Sequence, residues 1–484
     1  MSPSSTSTRV STPQSRCRAA MAQGEITPPV GIYHRMWGAA LHDRATGVHR
    51  PLLAVVLCLE PEQADAGPGL VLVTLDHCIL ERADLTAIRE AVARETGLTA
   101  QQVLVSLTHT HGSGLMTRSR AHLPGGDLIG PYLDALPARI AALAAQAQER
   151  LAPATIVYGR GRCALAAHRD FPDPASGAIV CGYHPDGPAD DTLLVARIQS
   201  DAGALVGTVV NYACHPTTLA WENTLISPDW VGALREEVER ATGSPCLFLQ
   251  GASADLGPRV GFVGDVAWAD RNGLQVAHAT LATIHALPPD GTEFVYQGPV
   301  VSGAILGTWR HEPVSNETRT AQARWTWRQV TLEVAYRADL PTLDQTRLER
   351  EQWQAEEDQA RAAGDEARLR DCRAKVEQRT RQIMRLEALA PGASYPLEIH
   401  IAALGEALWV FTPGELYQVF QQTLRARFPD RAVLVTTLTN DWQPGYIPPQ
   451  DAYGKGIYQE IIAATAPGEL EQLTQRVGDL LATL

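Results

Sequence analysis

The feature that most limits what this chain can fold into is the alternation, from residue 51 onward, of short apolar runs with longer amphipathic stretches. Pro51 to Leu59 and Leu70 to Leu75 are strand-length and apolar at nearly every position, the pattern of strands covered on both faces. Glu81 to Thr96 carries its apolar residues at helical intervals, and Val103 to Leu107 returns to strand. Asp127 to Arg150 reads as an Ala/Leu-rich helix, Ala204 to Tyr212 as a β-branched strand, Val231 to Thr242 as helix and Pro245 to Leu249 as strand. Further on, Leu397 to Ala403 and Ala407 to Thr412 predict strands, Glu415 to Arg427 a helix and Ala432 to Leu438 a strand, before an aromatic loop and two helices. Strands alternating with helices predict an α/β fold of mixed sheets flanked by helices. No solenoid-type repeat interrupts the pattern.

Two segments depart from it. Residues 342–390 are densely charged with sparse Leu, Trp and Ile at helical intervals, which predicts a solvated helical hairpin broken around Ala363-Gly364 and inserted into a body spanning 25–484. Residues 1–24 begin Ser/Thr-rich and basic without a hydrophobic stretch, which predicts a disordered segment rather than a secretory signal, with Met21 as a plausible alternative start.

Composition narrows the class. Of 484 residues, 45% are hydrophobic and 20% charged, enough for one large core or two medium ones. The net charge of -13, with no clustered Lys and Arg, argues against a nucleic-acid partner and for a small or lipid-like one. The longest apolar run noted, Leu52 to Leu59, falls short of the roughly 20 residues that span a bilayer, so no transmembrane segment is expected. The eight cysteines show no C-x-x-C spacing; Cys58, Cys78, Cys214 and Cys246 sit in apolar contexts as buried thiols, and a reducing, cytoplasmic setting is the default expectation.

The stretch S-L-T-H-T-H-G-S-G, residues 106–114, places two histidines just beyond a strand, where α/β sheets gather ligands. If the strand continues, His109 and His111 share a face, as residues i and i+2 do. A metal site, a catalytic pair and loop filler all remain open on this stretch alone. The H-x-H-x-D-H pattern of metallo-β-lactamase-type sites is absent, and two strand-helix units precede residue 109, unlike the early H-x-H of TIM-barrel amidohydrolases.

Distant motifs narrow the choice. T-H-T-H at 108–111, N-Y-A-C-H-P-T-T at 211–218 and F-T-P-G-E-L at 411–416 resemble, in order, the catalytic domain of the neutral/alkaline, non-lysosomal ceramidase family. I-T-P-P-V-G at 26–31, G-V-H-R-P-L at 47–52, H-R-D at 168–170 and S-P-D-W-V-G at 227–232 are similar to further family elements. The resemblance implies a zinc ion held by His109, His215, Glu415 and Tyr446, and imidazole and carboxylate are sound zinc ligands. It implies hydrolysis of an amide or related acyl bond by zinc-activated water. His111 is the candidate proton shuttle or oxyanion partner, and Arg169 and Tyr458 are further contacts to the carbonyl or oxyanion. Asp76, ending the strand V-L-V-T-L-D, is expected to orient a ligand histidine, and Tyr453, between the two loop tyrosines, to pack.

Two departures bear on substrate. Where the family reads G-D-V-S-P-N, this chain reads A-D-L-G-P-R, so Gly257 replaces the motif serine, and Ser253 lies four residues earlier on another part of the turn. The chain also holds no segment after Tyr458 long enough for the immunoglobulin-like C-terminal domain common in the family, so none is expected. The expectation is a zinc-dependent amide hydrolase acting on a small-molecule or lipid-like substrate. True ceramidase activity, and a non-catalytic binding descendant, are the alternatives.

Overall fold

The doubly apolar strands are explained by what lies on either side of them. The computed structural model describes residues 8–63 and 65–484. In chain order the strands of the central sheet are Gln14–Glu25 (β1), Leu53–Pro61 (β2), Leu70–Leu75 (β3), Val103–Leu107 (β4), Ala152–Arg162 (β5), Thr192–Ser200 (β6), Leu205–Tyr212 (β7) and Cys246–Gln250 (β8). Across this eight-stranded sheet the order is β8-β7-β6-β5-β1-β2-β3-β4. Neighbours are antiparallel except for β7 with β8 and β3 with β4, one parallel pair at each edge.

Alternate residues of β2 serve two cores, as a period of two requires. Ala54, Val56 and Cys58 meet the helices Arg82–Thr96 and Ile129–Gln148, while Val55, Leu57 and Leu59 face inward. Helices Trp230–Thr242 and Val266–Ala286 cover the other half of the outer face against Val195, Val210 and Phe248. The inward residues meet a second, four-stranded sheet of Trp325–Ala335 (β9), Ser394–Leu404 (β10), Ala407–Phe411 (β11) and Ala432–Thr436 (β12), ordered as numbered. Its Trp409, Phe411 and Leu434 pack on Leu57 and Leu247, and its Val410, Val433 and Val435 turn away towards the helices Gln418–Arg427 and Glu469–Leu481. The result is a helix–sheet–sheet–helix sandwich, and each large apolar side chain so buried contributes about 1.5–3 kcal/mol.

The central sheet curls until β8 lies against β4 across the interior. The segment after β12 ties these two edges together. Thr437 N–H donates to the Gln250 carbonyl at the end of β8 (3.0 Å), Leu107 N–H to the Leu438 carbonyl (3.2 Å) and Asn440 N–H to the Val105 carbonyl (2.8 Å). The Val105 N–H donates to Asn440 Oδ1 (2.9 Å). Leu438 and Asn440 hold left-handed φ values of 53° and 60°, which cost a Leu roughly 1–2 kcal/mol that these bonds offset.

The N-terminal expectation is overturned over most of its length. Residues 1–7 lie outside the described residues, but Gln14–Glu25 is an interior strand of the central sheet, and Met21 sits in its middle. Small side chains (Ala19, Ala20, Ala22) let the layers close over it, and Arg16 is neutralised by Glu62 (2.6 Å) and Asp201 (3.0 Å), so composition concealed a strand. The helix expected from Glu415 begins at Gln418 instead. The Ala/Leu-rich helix at 126–148 is, by length and composition, sufficient to cross a membrane, which the sequence reading overlooked; one face of it, with Leu133, Leu136, Ile140 and Ala144, packs on the central sheet.

The charged segment is a hairpin of Leu343–Ala363 and Glu366–Ala388, turned at Gly364 with φ 68°. Its docking is ionic as well as apolar. Buried Glu377 accepts two bonds from Arg120 (both 2.9 Å) and one from Arg381 (2.7 Å), and Arg373 meets Asp43 at 2.7 Å. Burial alone would raise the Glu377 carboxyl, but Arg381 and Arg120 hold it down to about 2. A depressed carboxyl stabilises above its unfolded value of about 4.3 and loses that contribution as pH falls through the folded value.

Three outcomes follow. Amide hydrogen exchange across 366–388 should be insensitive to Glu377 above about pH 5 and accelerate between about pH 4 and pH 2. Glu377→Gln should abolish that acid step and cost about 3–5 kcal/mol, because it strands two guanidiniums. Asn440→Ala should lower stability by about 1–3 kcal/mol in denaturant melts by opening the seam.

Candidate metal centre

The histidine pair does not sit on a strand. β4 ends at Leu107, and Thr108 Oγ1 donates to Asp76 (3.0 Å). His109 takes φ 67°, and His111–Ser113 form one 3-10 turn whose Gly112 N–H donates to Thr110 Oγ1 (3.2 Å). The two rings lie 5.1 Å apart, edge to face, because the chain turns between them rather than because a pleat aligns them. Gly112 is required there, since a Cβ would meet the Ser227 carbonyl at 2.6 Å.

His109 Nδ1 donates to the Cys78 carbonyl at 2.9 Å, so its Nε2 is the free nitrogen, 3.2 Å from Glu415 Oε2. His215, just past β7, repeats the device. Its Nδ1 donates to the carbonyls of Ser253 (2.7 Å) and Leu256 (3.1 Å), and its Nε2 lies 3.1 Å from the same Glu415 oxygen. A carbonyl can only accept, so both rings carry a proton on Nδ1, which leaves Nε2 as the nitrogen that can bind a metal once it is deprotonated.

Glu415 and Tyr446 arrive together, as Glu415–Leu416 pairs in parallel with Tyr446–Ile447. The pairing puts the Tyr446 hydroxyl 3.5 Å from His215 Nε2, and Arg169 Nη2 donates to that hydroxyl at 3.0 Å. His111 lies beside the cluster with both ring nitrogens buried and, among the described residues, unpartnered, and Tyr458, 42% exposed, stands with its ring 6.0 Å from that of Tyr446.

Ligands on a tetrahedral zinc ion with bonds of about 2.0–2.2 Å sit about 3.3 Å apart, close to the His–Glu separations here. Among the described residues the buried His109 Nε2 also has no hydrogen-bond partner, so the donor set fits a divalent metal. A second grouping, Cys78 with His109 and His111, competes for the same ring. It fits worse: the Cys78 thiol faces His109 Nδ1 at 3.6 Å, the nitrogen already committed to a carbonyl.

Electrostatics agree with a cation beside Glu415. Burial would raise this carboxyl, yet His109 and His215 hold it well below the usual range. Burial and Arg169 press His215 down to about 4, and burial with its two imidazole neighbours keeps His111 well below the ordinary value. Against burial, Cys78 and Glu415 raise His109 well above it. Tyr446 is held up by burial, with Arg169 opposing. One carboxylate between two imidazoles leaves room for positive charge, from a proton on His109 or from a divalent ion.

The structure thus brings together His109, His111, Arg169, His215, Glu415, Tyr446 and Tyr458. Asp76 does not orient either ring: it is held by Arg235, Leu53 N–H (2.8 Å) and Thr108, and it fixes the turn that carries His109. Tyr453 packs, donating to the Thr465 carbonyl at 2.7 Å. Sequence reading missed the carbonyls that orient the rings, which carry no residue-type signal, and Trp37, whose ring is tilted against that of His111 at 5.1 Å. Ser253 contributes its carbonyl to His215, while its hydroxyl meets Gln250 at 2.6 Å. Gly257 pairs with Ala167 on the short strand Ala166–His168, which ends just before Arg169, and a Cβ there would meet only Thr217 Oγ1, at 3.7 Å.

Fold and site together define an α/β sandwich with a buried two-histidine, one-carboxylate cluster at the carboxyl ends of its strands. No protein-family model matches the chain. Over 259 residues, 50% of this chain, it is 26% identical to the neutral ceramidase of Pseudomonas aeruginosa, and over 234 residues, 44% of the chain, 27% identical to neutral ceramidase 1 of Arabidopsis thaliana. The matched stretches span 37% and 28% of those proteins, well under half their lengths. In structure, 97% of the chain superposes on 74% of the Pseudomonas aeruginosa neutral ceramidase with a TM-score of 0.62 at 17% identity. A ceramidase complexed with C2 superposes similarly, at TM-score 0.62 and 16% identity over 96% of this chain and 74% of that one. In fold, and over about half of its sequence, the chain is similar to neutral ceramidases.

Elemental analysis of purified protein should find about one divalent metal per chain, lost in His109→Ala and in His215→Ala but retained in Cys78→Ser. Metal retained in both histidine variants would rule out this ligand set.

Proposed function

We propose that this chain is a zinc-dependent hydrolase that cleaves an amide, or related acyl, bond in a lipid-like substrate. The observation that carries the reading is the convergence of two carbonyl-oriented Nε2 atoms on one Glu415 oxygen, beside an imidazole, His111, with no partner of its own. His109, His215 and Glu415 would hold the metal, with Tyr446 at its edge. Zinc held there supplies Lewis-acid polarisation of a carbonyl and makes water more acidic.

The chain's own residues supply the rest. His111 is kept neutral by burial and its imidazole neighbours, so one ring nitrogen can take a proton and the other can donate to a developing oxyanion. Arg169 donates to the Tyr446 hydroxyl and fixes its direction, and its charge favours negative charge developing nearby. Tyr458, partly exposed at the rim, can donate to the substrate carbonyl as it enters. Trp37 lies against His111, its ring tilted 33° at 5.1 Å, and adds apolar surface beside it.

The relatives' names include neutral ceramidase, which supports a lipid amide as substrate class. Ceramide itself is the alternative that Gly257 tests. A serine fits there without displacing backbone, since Thr217 Oγ1 is the only atom a Cβ would approach. Gly257→Ser should therefore fold normally and raise turnover of ceramide relative to short N-acyl amides; an unchanged ratio would detach the missing hydroxyl from substrate choice.

The test of the reading is hydrolysis of N-acyl amides of graded chain length, before and after chelation and zinc restoration. Activity should vanish with chelator and return with zinc. His111→Ala should keep its metal and lose about 10²–10⁴ in kcat. Zinc-loaded protein that cleaves none of these amides, or activity indifferent to chelator, would remove the proposal.

A further inference from the structure

The strands Thr292–Ser302 and Ala304–Pro313, turned at Gly303 with φ 73°, form an arm that is tied to the body at its base. There Arg9–Val10 pairs with Phe294 and Val295, Tyr296 N–H donates to the Thr8 carbonyl (3.0 Å), and Gln14 Nε2 donates to the Thr292 carbonyl (3.0 Å). Beyond Tyr296, among the described residues, the two strands pair with each other alone. At about 3.3 Å per residue, the stretch from Tyr296 to Ser302 carries the tip roughly 20 Å past that last support.

Gly298 to Trp309 reads G-P-V-V-S-G-A-I-L-G-T-W, without a charged residue on a chain that is 20% charged. Val300 faces Leu306 across the ladder, and Val301 faces Ile305. Successive residues of a strand point to opposite sides, so the tip is apolar on both faces, with these four residues between 48% and 82% exposed. A two-stranded ribbon is marginal in water until a third strand or a packed face supports it. The two edges of this ribbon differ. A bulge between Tyr296 and Gly298, followed by Pro299, interrupts the edge of Thr292–Ser302, and both devices block further pairing. From Ala304 to Trp309 the other edge has no proline, no charge and no register shift, so its outward N–H and C=O groups form an open template.

We propose that this open edge is the interface of a symmetric dimer, in which Ala304–Trp309 pairs antiparallel with the same segment of a second copy of this chain. Antiparallel pairing of identical strands is self-complementary about a two-fold axis, and the blunted outer edges end the resulting four-stranded sheet at two copies. Residues 294–313 of each arm offer about 20 residues a side, the lower end of what a stable interface uses. A lipid bilayer would cover the apolar side chains but leave both ribbon edges without hydrogen-bond partners in hydrocarbon. The arm also leaves beside Gln14, at the start of β1, whereas His109 follows Leu107, level with the far end of that strand, roughly 30 Å away. A dimer formed at the arm therefore leaves the metal centre of each copy free.

The test is sedimentation velocity of the full chain from roughly 1 to 100 µM, with amide hydrogen exchange on the same samples. The wild-type chain should be dimeric at the upper end, and the amides of 304–309 should exchange more slowly as the dimer fills. Ile305→Lys should raise the dimer dissociation constant at least about tenfold, since a lysine on an edge strand opposes pairing. Its far-UV circular dichroism should match the wild type, because Ile305 is exposed and lies outside the core. Leu348→Lys, which changes an exposed apolar residue of the helical hairpin instead, should leave the dimer intact. A chain that is monomeric at every concentration would overturn the proposal. So would a dimer that Ile305→Lys leaves intact, or one in which 304–309 exchanges as fast as in the monomer. A monomer that sediments with phosphatidylcholine vesicles, and loses them in Ile305→Lys, would assign the arm to lipid and overturn it as well.

Discussion

The site depends on the seam between the two edges of the central sheet. An eight-stranded sheet leaves its first and last strands far apart unless it curls, and here each edge strand, or its parallel neighbour, leads into one of the two histidines that must meet. Thr437 to Asn440 hold β8 and β4 together through backbone bonds and the Asn440 side chain. The same segment then runs on into the loop that delivers Tyr446 beside Glu415. One stretch of chain therefore fixes the separation of His109 from His215 and supplies their neighbour, so a slack seam would blur the whole ligand set.

Within that frame, precision comes from main-chain groups. The carbonyls of Cys78, Ser253 and Leu256 set which nitrogen of each imidazole is free. A carbonyl in rigid backbone fixes a tautomer as firmly as a carboxylate does and adds no charge. That leaves Glu415 as the single anion of the cluster, and it explains why Asp76 is spent instead on Arg235 and the Thr108 turn.

How much of this was legible in the sequence follows from where each signal resides. The strand-helix alternation was readable because β2, β3 and β4 are apolar on both faces, which sandwiching between helices and a second sheet demands. The strand Gln14–Glu25 was not, because Ala and a neutralised Arg16 imitate a polar tail. His109, His215, Glu415 and Tyr446 could be named only through distant motifs. The left-handed turn at His109, the orienting carbonyls and the seam leave no periodic trace, since backbone groups are alike at every residue. The hairpin was visible as charge, but its buried Glu377 and the grip of Arg381 on Met36 depend on partners far away in the chain.

The central claim is that one metal ion sits between His109, His215 and Glu415, and zinc K-edge X-ray absorption on the metal-loaded chain addresses it most directly. The account predicts a first shell of nitrogen and oxygen alone at about 2.0–2.2 Å, with the outer-shell scattering of two imidazoles. A sulfur shell at about 2.3 Å would contradict it, because that would move the metal to Cys78 and undo the tautomer argument on which the site is built.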